Sequence, residues 1–106
     1  MHTLKNDILT VLVKKHGAEL ASIRKGSTEY LWQADPAFWG RHSPVLFPIV
    51  GSVWEKRYRV GGREYELGQH GFARDMDFSM VSSSDAEVRY RLQSSEETLE
   101  KYPWPF

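Results

Sequence analysis

The sequence predicts an all-β chain, an antiparallel β-sandwich with one short helix near the C-terminal end. Three observations carry this. Several short runs alternate apolar and polar residues with period two, as half-buried strands do. Glycine pairs or Ser/Asp clusters separate those runs at short intervals. Ser94 to Tyr102 has the signature of a short helix, a serine cap followed by acidic residues in the first turn.

Taken in order, Leu9 to Lys15 (LTVLVKK) is rich in β-branched residues and forms the first expected strand, broken by His16-Gly17. Ala18 to Lys25 is the second, stopped by Gly26-Ser27, and Glu29 to Gln33 (EYLWQ) is a short third. Ala34 to Pro44 carries Pro36, Gly40 and Pro44, which predicts a structured loop with one helical turn at Pro36 to Trp39. Val45 to Gly51 (VLFPIVG) is apolar on both faces but contains Pro48, so it suits an edge, a bulge or an irregular buried segment. Arg57 to Leu67 (RYRVGGREYEL) has two alternating runs around Gly61-Gly62, the pattern of a hairpin with a primed turn. Asp77 to Ser94 repeats the hairpin pattern with a polar loop at Ser82 to Asp85. Val88, Tyr90 and Leu92 share one face there, and Arg89, Arg91 and Gln93 the other. Ser94 or Ser95 caps the helix, and Tyr102 to Phe106 (YPWPF) follows it. That aromatic tail either packs back on the domain or marks a sandwich cut short. In the second case open strand edges recruit other chains, and a homo-oligomer through exposed β edges and the tail is expected.

The 106 residues suit a single domain, 1–106. With 41% apolar and 26% charged residues, wholesale disorder is excluded. Lys and Arg total 14, as do Asp and Glu, so no field attracts nucleic acid or an acidic membrane. The absence of cysteine excludes disulfides, thiol catalysis and zinc–thiolate sites. The apolar run Ile8 to Val13 is too short to span a membrane and has no cleavage site behind it, so the default location is the cytoplasm. Each of the four tryptophans suits either core packing or a stacking platform for a ligand such as a sugar face. Trp39 and Trp54 are the stacking candidates, because their surroundings are polar and loop-like.

Among the histidines, His2 is terminal, His16 precedes a glycine in a solvated turn, and no pair has metal-ligand spacing, so no metal site is expected. No phosphate loop, dinucleotide fingerprint or serine nucleophile motif occurs. His42 lies in GRHSPVLFP, and His70 in GQHGFARD has glycine at 68 and 71, which would let a ligand approach the backbone. Imidazole exchanges protons near neutrality. Arg74 offers a rigid donor fork for hydroxyls, carboxylates or phosphate, and Asp75 can orient either group. A structural histidine bonded to backbone accounts for the same pattern.

GAEL at Gly17 to Leu20, EYLWQ at Glu29 to Gln33, SPVLFPIVG at Ser43 to Gly51, QHGFARD at Gln69 to Asp75 and SSEETLEKYPWPF at the end occur in this order and spacing. Together they resemble the N-terminal part of the aldose 1-epimerase (galactose mutarotase-like) family, in its LacX-like branch, over essentially the whole chain. The resemblance implies the N-terminal part of a large antiparallel supersandwich that binds an aldohexose in an open cleft. It also implies interconversion of α and β anomers without metal or cofactor. There a carboxylate takes the anomeric hydroxyl proton, a histidine protonates the ring oxygen, the ring opens, C1 rotates and the steps reverse. His70 matches the family's HGF histidine and would take the catalytic position, with Arg74, Arg41, Asp75 and Trp39 as substrate-binding candidates.

Two departures stand beside the resemblance. Family chains are more than twice as long, and their second histidine and glutamate base fall outside the stretch matched here, so the isolated chain is expected to be inactive. After PIVG the family pattern has a sugar-binding arginine where this chain has Ser52, and Arg41 is the candidate to compensate. The alternatives are a hexose-6-phosphate 1-epimerase-like protein, because Arg74 also suits phosphate, and a non-catalytic carbohydrate-binding or assembly module using Trp39, Trp54, His70 and Arg74.

Overall fold

A computed structural model describes residues 1–106. The strands are β1 (His2–Lys5), β2 (Thr10–Val13), β3 (Leu20–Lys25), β4 (Thr28–Glu29), β5 (Arg57–Val60), β6 (Arg63–Glu66), β7 (Ser79–Ser83) and β8 (Val88–Arg91), with one helix, α1 (Glu96–Lys101). β1 to β4 form an antiparallel meander, and β5–β6 and β7–β8 are separate hairpins. This is the expected all-β, antiparallel class with a single short helix.

β1 was not anticipated. Its four residues hold one aliphatic side chain, too little for a periodic signal, and it forms by pairing with β2 from His2↔Val13 to Lys5↔Thr10. The legible cue was Asn6, whose Oδ1 accepts the amides of Ile8 (2.9 Å) and Leu9 (2.7 Å) and builds the connecting turn. His16, expected to be solvated, is exposed but pairs with Asp77 at 2.8 Å, tying the meander to the chain that enters β7.

The third expected strand, Glu29 to Gln33, shrinks to Thr28–Glu29. The reason is Glu29 itself. Its carboxylate accepts the amides of Ile23 and Leu31 (both 2.9 Å) and the Ser22 hydroxyl, with Arg24 Nε at 3.2 Å, so a side chain replaces the ladder. The Ser22 hydroxyl and then the Ile23 amide hold this carboxyl down, from 4.5 to about 2. A depressed carboxyl stabilises the fold above its unfolded value, and that contribution is lost as pH falls through the folded one. The urea midpoint should therefore drop as pH falls from 4.5 toward about 2. Glu29→Gln should flatten that part of the profile.

Both hairpins follow the sequence pattern. Gly61 (φ 56°) and Gly62 (φ 79°) make the primed turn between Val60 and Arg63, which form a register pair. In β7–β8 the reversal lies at Ser84–Glu87 instead of Ser82–Asp85. The Ser84 hydroxyl accepts the amides of Ala86 and Glu87, and Ser84 N–H donates to Glu87 O at 2.7 Å. Ser95 caps α1 reciprocally with the buried Thr98, which stands where Glu or Gln is usual. The Tyr58 hydroxyl donates to Lys101 O (2.6 Å) and anchors the helix to β5.

The tail packs back on the domain. Phe106 stacks on Phe72 (6.2 Å) and meets Phe47 edge-on (5.0 Å), while its carbonyl accepts the Ser94 amide. The molecule is nonetheless a slab of 55 × 34 × 15 Å, with a radius of gyration of 16.5 Å, against about 13 Å for a compact chain of this size. Val45, Phe47, Ala73, Phe78, Leu92 and Phe106 line a wholly apolar groove of about 370 Å³. Such a face drives association, so light scattering at micromolar concentration should show species larger than the monomer, and Leu92→Asp should reduce them.

Candidate functional site

The site forms where Pro44 to Gly51 crosses Gly68 to Asp75. Phe47 and Gly71 pair as an isolated parallel bridge. The Phe47 carbonyl accepts from both Phe72 N–H (3.0 Å) and Ala73 N–H (3.1 Å). A Cβ on Gly71 would lie 2.3 Å from Phe47 O and 2.5 Å from Pro48 Cδ, and its φ is +71°. This corrects the sequence-level role given to that glycine: Gly71 makes room for the neighbouring chain, not for a ligand. Gly68 has open space around it.

His70 is held from both sides by one residue. Its own amide donates to Gly51 O (2.7 Å), and Gly51 N–H donates to its ring Nδ1 (2.8 Å). Because Nδ1 accepts a backbone N–H, the proton of the neutral ring sits on Nε2, leaving Nε2–H as the free donor. The backbone-bonded reading thus holds at Nδ1 and leaves Nε2 without a protein partner. The ring is carried on a left-handed backbone (φ 60°), fixed by the Gly51 contact and the following glycine.

Arg74 sits in a tight turn, Ala73–Asp75, with its side chain mostly buried and Nη2 donating to Gln69 O at 3.1 Å. Its Nε has no hydrogen-bond partner, the nearest carboxylate being Asp75 at 3.9 Å. Gly17 explains the GAEL motif, since a Cβ there would lie 2.8 Å from Arg74 O and Gly17 N–H donates to Met76 O. Asp75 Oδ1 accepts from Arg41 Nη2 at 2.9 Å, so Arg41 is committed to Asp75.

Sequence reasoning missed Glu19. Its buried carboxylate accepts the amides of His42 (2.8 Å) and Ser43 (2.9 Å) and meets Lys14 Nζ at 2.8 Å. Burial pushes this carboxyl up, but the lysine and the two amides outweigh it and hold it below its usual value. Glu19 therefore fixes the start of the Ser43–Gly51 segment from beneath. The signal available was an acidic residue after Gly17-Ala18, flanked by apolar positions.

Neighbouring residues of the extended stretch 44–47 face opposite sides. Val45 and Phe47 enter the apolar groove, and Pro44 and Leu46 line a separate cavity of about 430 Å³ with Trp39, Ser43, Gln69, His70 and Arg74. Three of the five expected site residues, His70, Arg74 and Trp39, are thus brought together. Arg41 and Asp75 are not; they form an ion pair with each other, and Asp75 lines a different hollow of about 690 Å³ with Glu55, Lys56, Glu97 and Lys101. Trp54 is 86% exposed and lines neither space. No three His, Asp or Glu converge as metal ligands, and no helix is long and apolar enough to cross a membrane. The cavity combines an imidazole N–H, a guanidinium, an amide side chain and an aromatic wall, with no carboxylate in its lining. That set suits a small polyhydroxyl ligand.

The sequence model described as Aldose 1-epimerase matches residues 1–106. Protein LacX of Lactococcus lactis subsp. lactis, in its chromosomal form, is 39% identical over 110 residues. The match covers 97% of this chain and 36% of that protein. A crystal structure of a galactose mutarotase related enzyme from Lactobacillus acidophilus superposes with a TM-score of 0.96 at 42% identity. It covers 98% of this chain and 35% of the other. A galactose mutarotase-like protein from Lactobacillus casei gives 0.94 at 39% identity, covering 99% and 36%. The chain therefore spans about 36% of the curated relatives it matches.

Proposed function

The chain belongs to the aldose 1-epimerase family, and on that premise we propose that the His70–Arg74 cavity binds an aldohexose and serves interconversion of its α and β anomers. The observation that carries this reading is the free Nε2–H of His70, fixed by Gly51 at the wall of the cavity. Anomer exchange opens the ring: the C1–O5 bond breaks as the anomeric hydroxyl loses its proton and the ring oxygen gains one. His70 donates a hydrogen bond to the ring oxygen from Nε2. Giving that proton away entirely would leave an imidazolate, so His70 orients and polarises while the ring oxygen takes its proton from solvent or from another segment. Arg74 supplies fixed positive charge beside it, and Trp39 offers an aromatic face to the sugar's C–H face.

The base that takes the anomeric proton is not among the cavity residues, none of which is a carboxylate. Another segment or the solvent provides it. Lack of a positioned base costs about 10²–10⁴ in rate, so this chain by itself is chiefly a sugar-binding element. Polarimetry on freshly dissolved α-D-glucose and α-D-galactose tests the reading. Mutarotation faster with the wild-type chain than with His70→Ala supports catalysis at this cavity. Saturable sugar binding without acceleration assigns the chain a binding role, and absence of both refutes the reading.

One observation favours a phosphorylated sugar as the second reading: the guanidinium of Arg74 is the only permanently charged group in the lining. Tighter binding of glucose 6-phosphate than of glucose, lost in Arg74→Gln, would select it.

A further inference from the structure

Between Tyr30 and Trp39 the chain exposes four aromatic side chains: Tyr30, Trp32, Phe38 and Trp39, with Phe38 80% exposed. The last three are held in place. Asp35 O accepts the amides of Phe38 (3.0 Å) and Trp39 (2.9 Å), and Asp35 Oδ1 caps Ala37 N–H. Trp32 Nε1–H donates to Trp39 O at 2.8 Å, and the Trp32 and Phe38 rings meet edge-to-face at 6.2 Å. In one helical turn successive side chains diverge by about 100°. Trp39 turns into the wall of the His70 cavity, and Phe38 turns away toward Trp32. The aromatic surface thus continues from the cavity wall over its rim. It does not join the apolar groove, which lies across the Pro44–Phe47 segment from the cavity. Its surroundings also differ from those of the wholly apolar groove, because Trp39 stands beside the polar groups Gln69 and Ser43.

We propose that Phe38 and Trp32 form a second sugar subsite, so that the preferred ligand is a reducing di- or oligosaccharide. Its reducing-end ring occupies the His70 cavity, and the next ring lies on the Phe38–Trp32 step. The proposal rests on the sugar-binding reading of that cavity. Flat, apolar ring faces held at fixed angles are what the C–H faces of a pyranose stack against, while its hydroxyl edge stays in water. The pre-set edge-to-face geometry lowers the ordering cost of such contact.

The test compares D-glucose with maltose and cellobiose, which share the same reducing-end ring, by titration calorimetry on the 106-residue chain. The disaccharides are expected to bind roughly three- to tenfold more tightly than glucose. Phe38→Ala should abolish that advantage while leaving glucose affinity unchanged, and Phe38→Trp should retain it. Saturation-transfer NMR should place the non-reducing ring against Phe38. Equal affinity of glucose and the disaccharides overturns the subsite alone. Loss of glucose binding in Phe38→Ala also overturns it, because Phe38 would then support the cavity. Failure of all three sugars to bind overturns the cavity reading and the subsite with it.

Discussion

Gly71→Ala is expected to cost more than about 3 kcal/mol, a large fraction of the about 5–15 kcal/mol that holds a domain together. The added Cβ would fall 2.3 Å from Phe47 O and 2.5 Å from Pro48 Cδ, and the first of these is backbone that cannot swing aside. The residue's φ of +71° adds left-handed strain for any L side chain. Relief would require the Pro44–Gly51 segment to separate from Gly68–Asp75. That motion would break the paired hydrogen bonds to Phe47 O and the Gly51–His70 clasp together. Gly26→Ala is the matched control, since its φ is also positive but its Cβ would meet nothing within 4 Å. It should cost only about 1 kcal/mol. Urea denaturation of the two variants checks this. A Gly71→Ala midpoint as mild as that of Gly26→Ala would mean that the two segments do not press on each other.

Removing the His70 ring has the largest expected effect on function. His70→Ala loses the Nε2–H donor and the acceptor for Gly51 N–H, so both sugar affinity and local order should fall. His70→Asn separates the two roles. Asn tolerates a left-handed backbone, and its Oδ1 can accept the Gly51 amide, but it presents no N–H where Nε2 was. His70→Asn should therefore keep close to wild-type stability while sugar affinity falls at least about tenfold, a typical loss for a buried polar ligand contact. Wild-type affinity in His70→Asn would remove His70 from the binding role.

The fold was largely legible where local chemistry decides it. The Gly61-Gly62 turn, the Ser95 cap, the helical turn before Trp39 and the irregular Pro48 segment all follow from residues adjacent in sequence. What escaped was decided at long range or by side chains that replace backbone partners. β1 exists because β2 offers an edge, and β4 is short because the Glu29 carboxylate takes amides a longer strand would use. The site followed the same division. His70, Arg74 and Trp39 were visible as residue types in loops and do line one cavity. That Arg41 is spent on Asp75, that Trp54 stands apart and that Glu19 anchors His42 and Ser43 depended on how distant segments cross. Glycine 71 was noticed for the right feature and given the wrong neighbour, because sequence shows freedom of approach but not what approaches.

The most direct test of the account follows the ring nitrogens of His70 by NMR in ¹⁵N-histidine-labelled chain, with and without D-glucose or D-galactose. Expected are a proton on Nε2, a scalar coupling across the Gly51 N–H···Nδ1 hydrogen bond, and a saturable shift of Nε2 as sugar is added. A ring protonated at Nδ1, or an Nε2 resonance that stays in place through the titration, would contradict it.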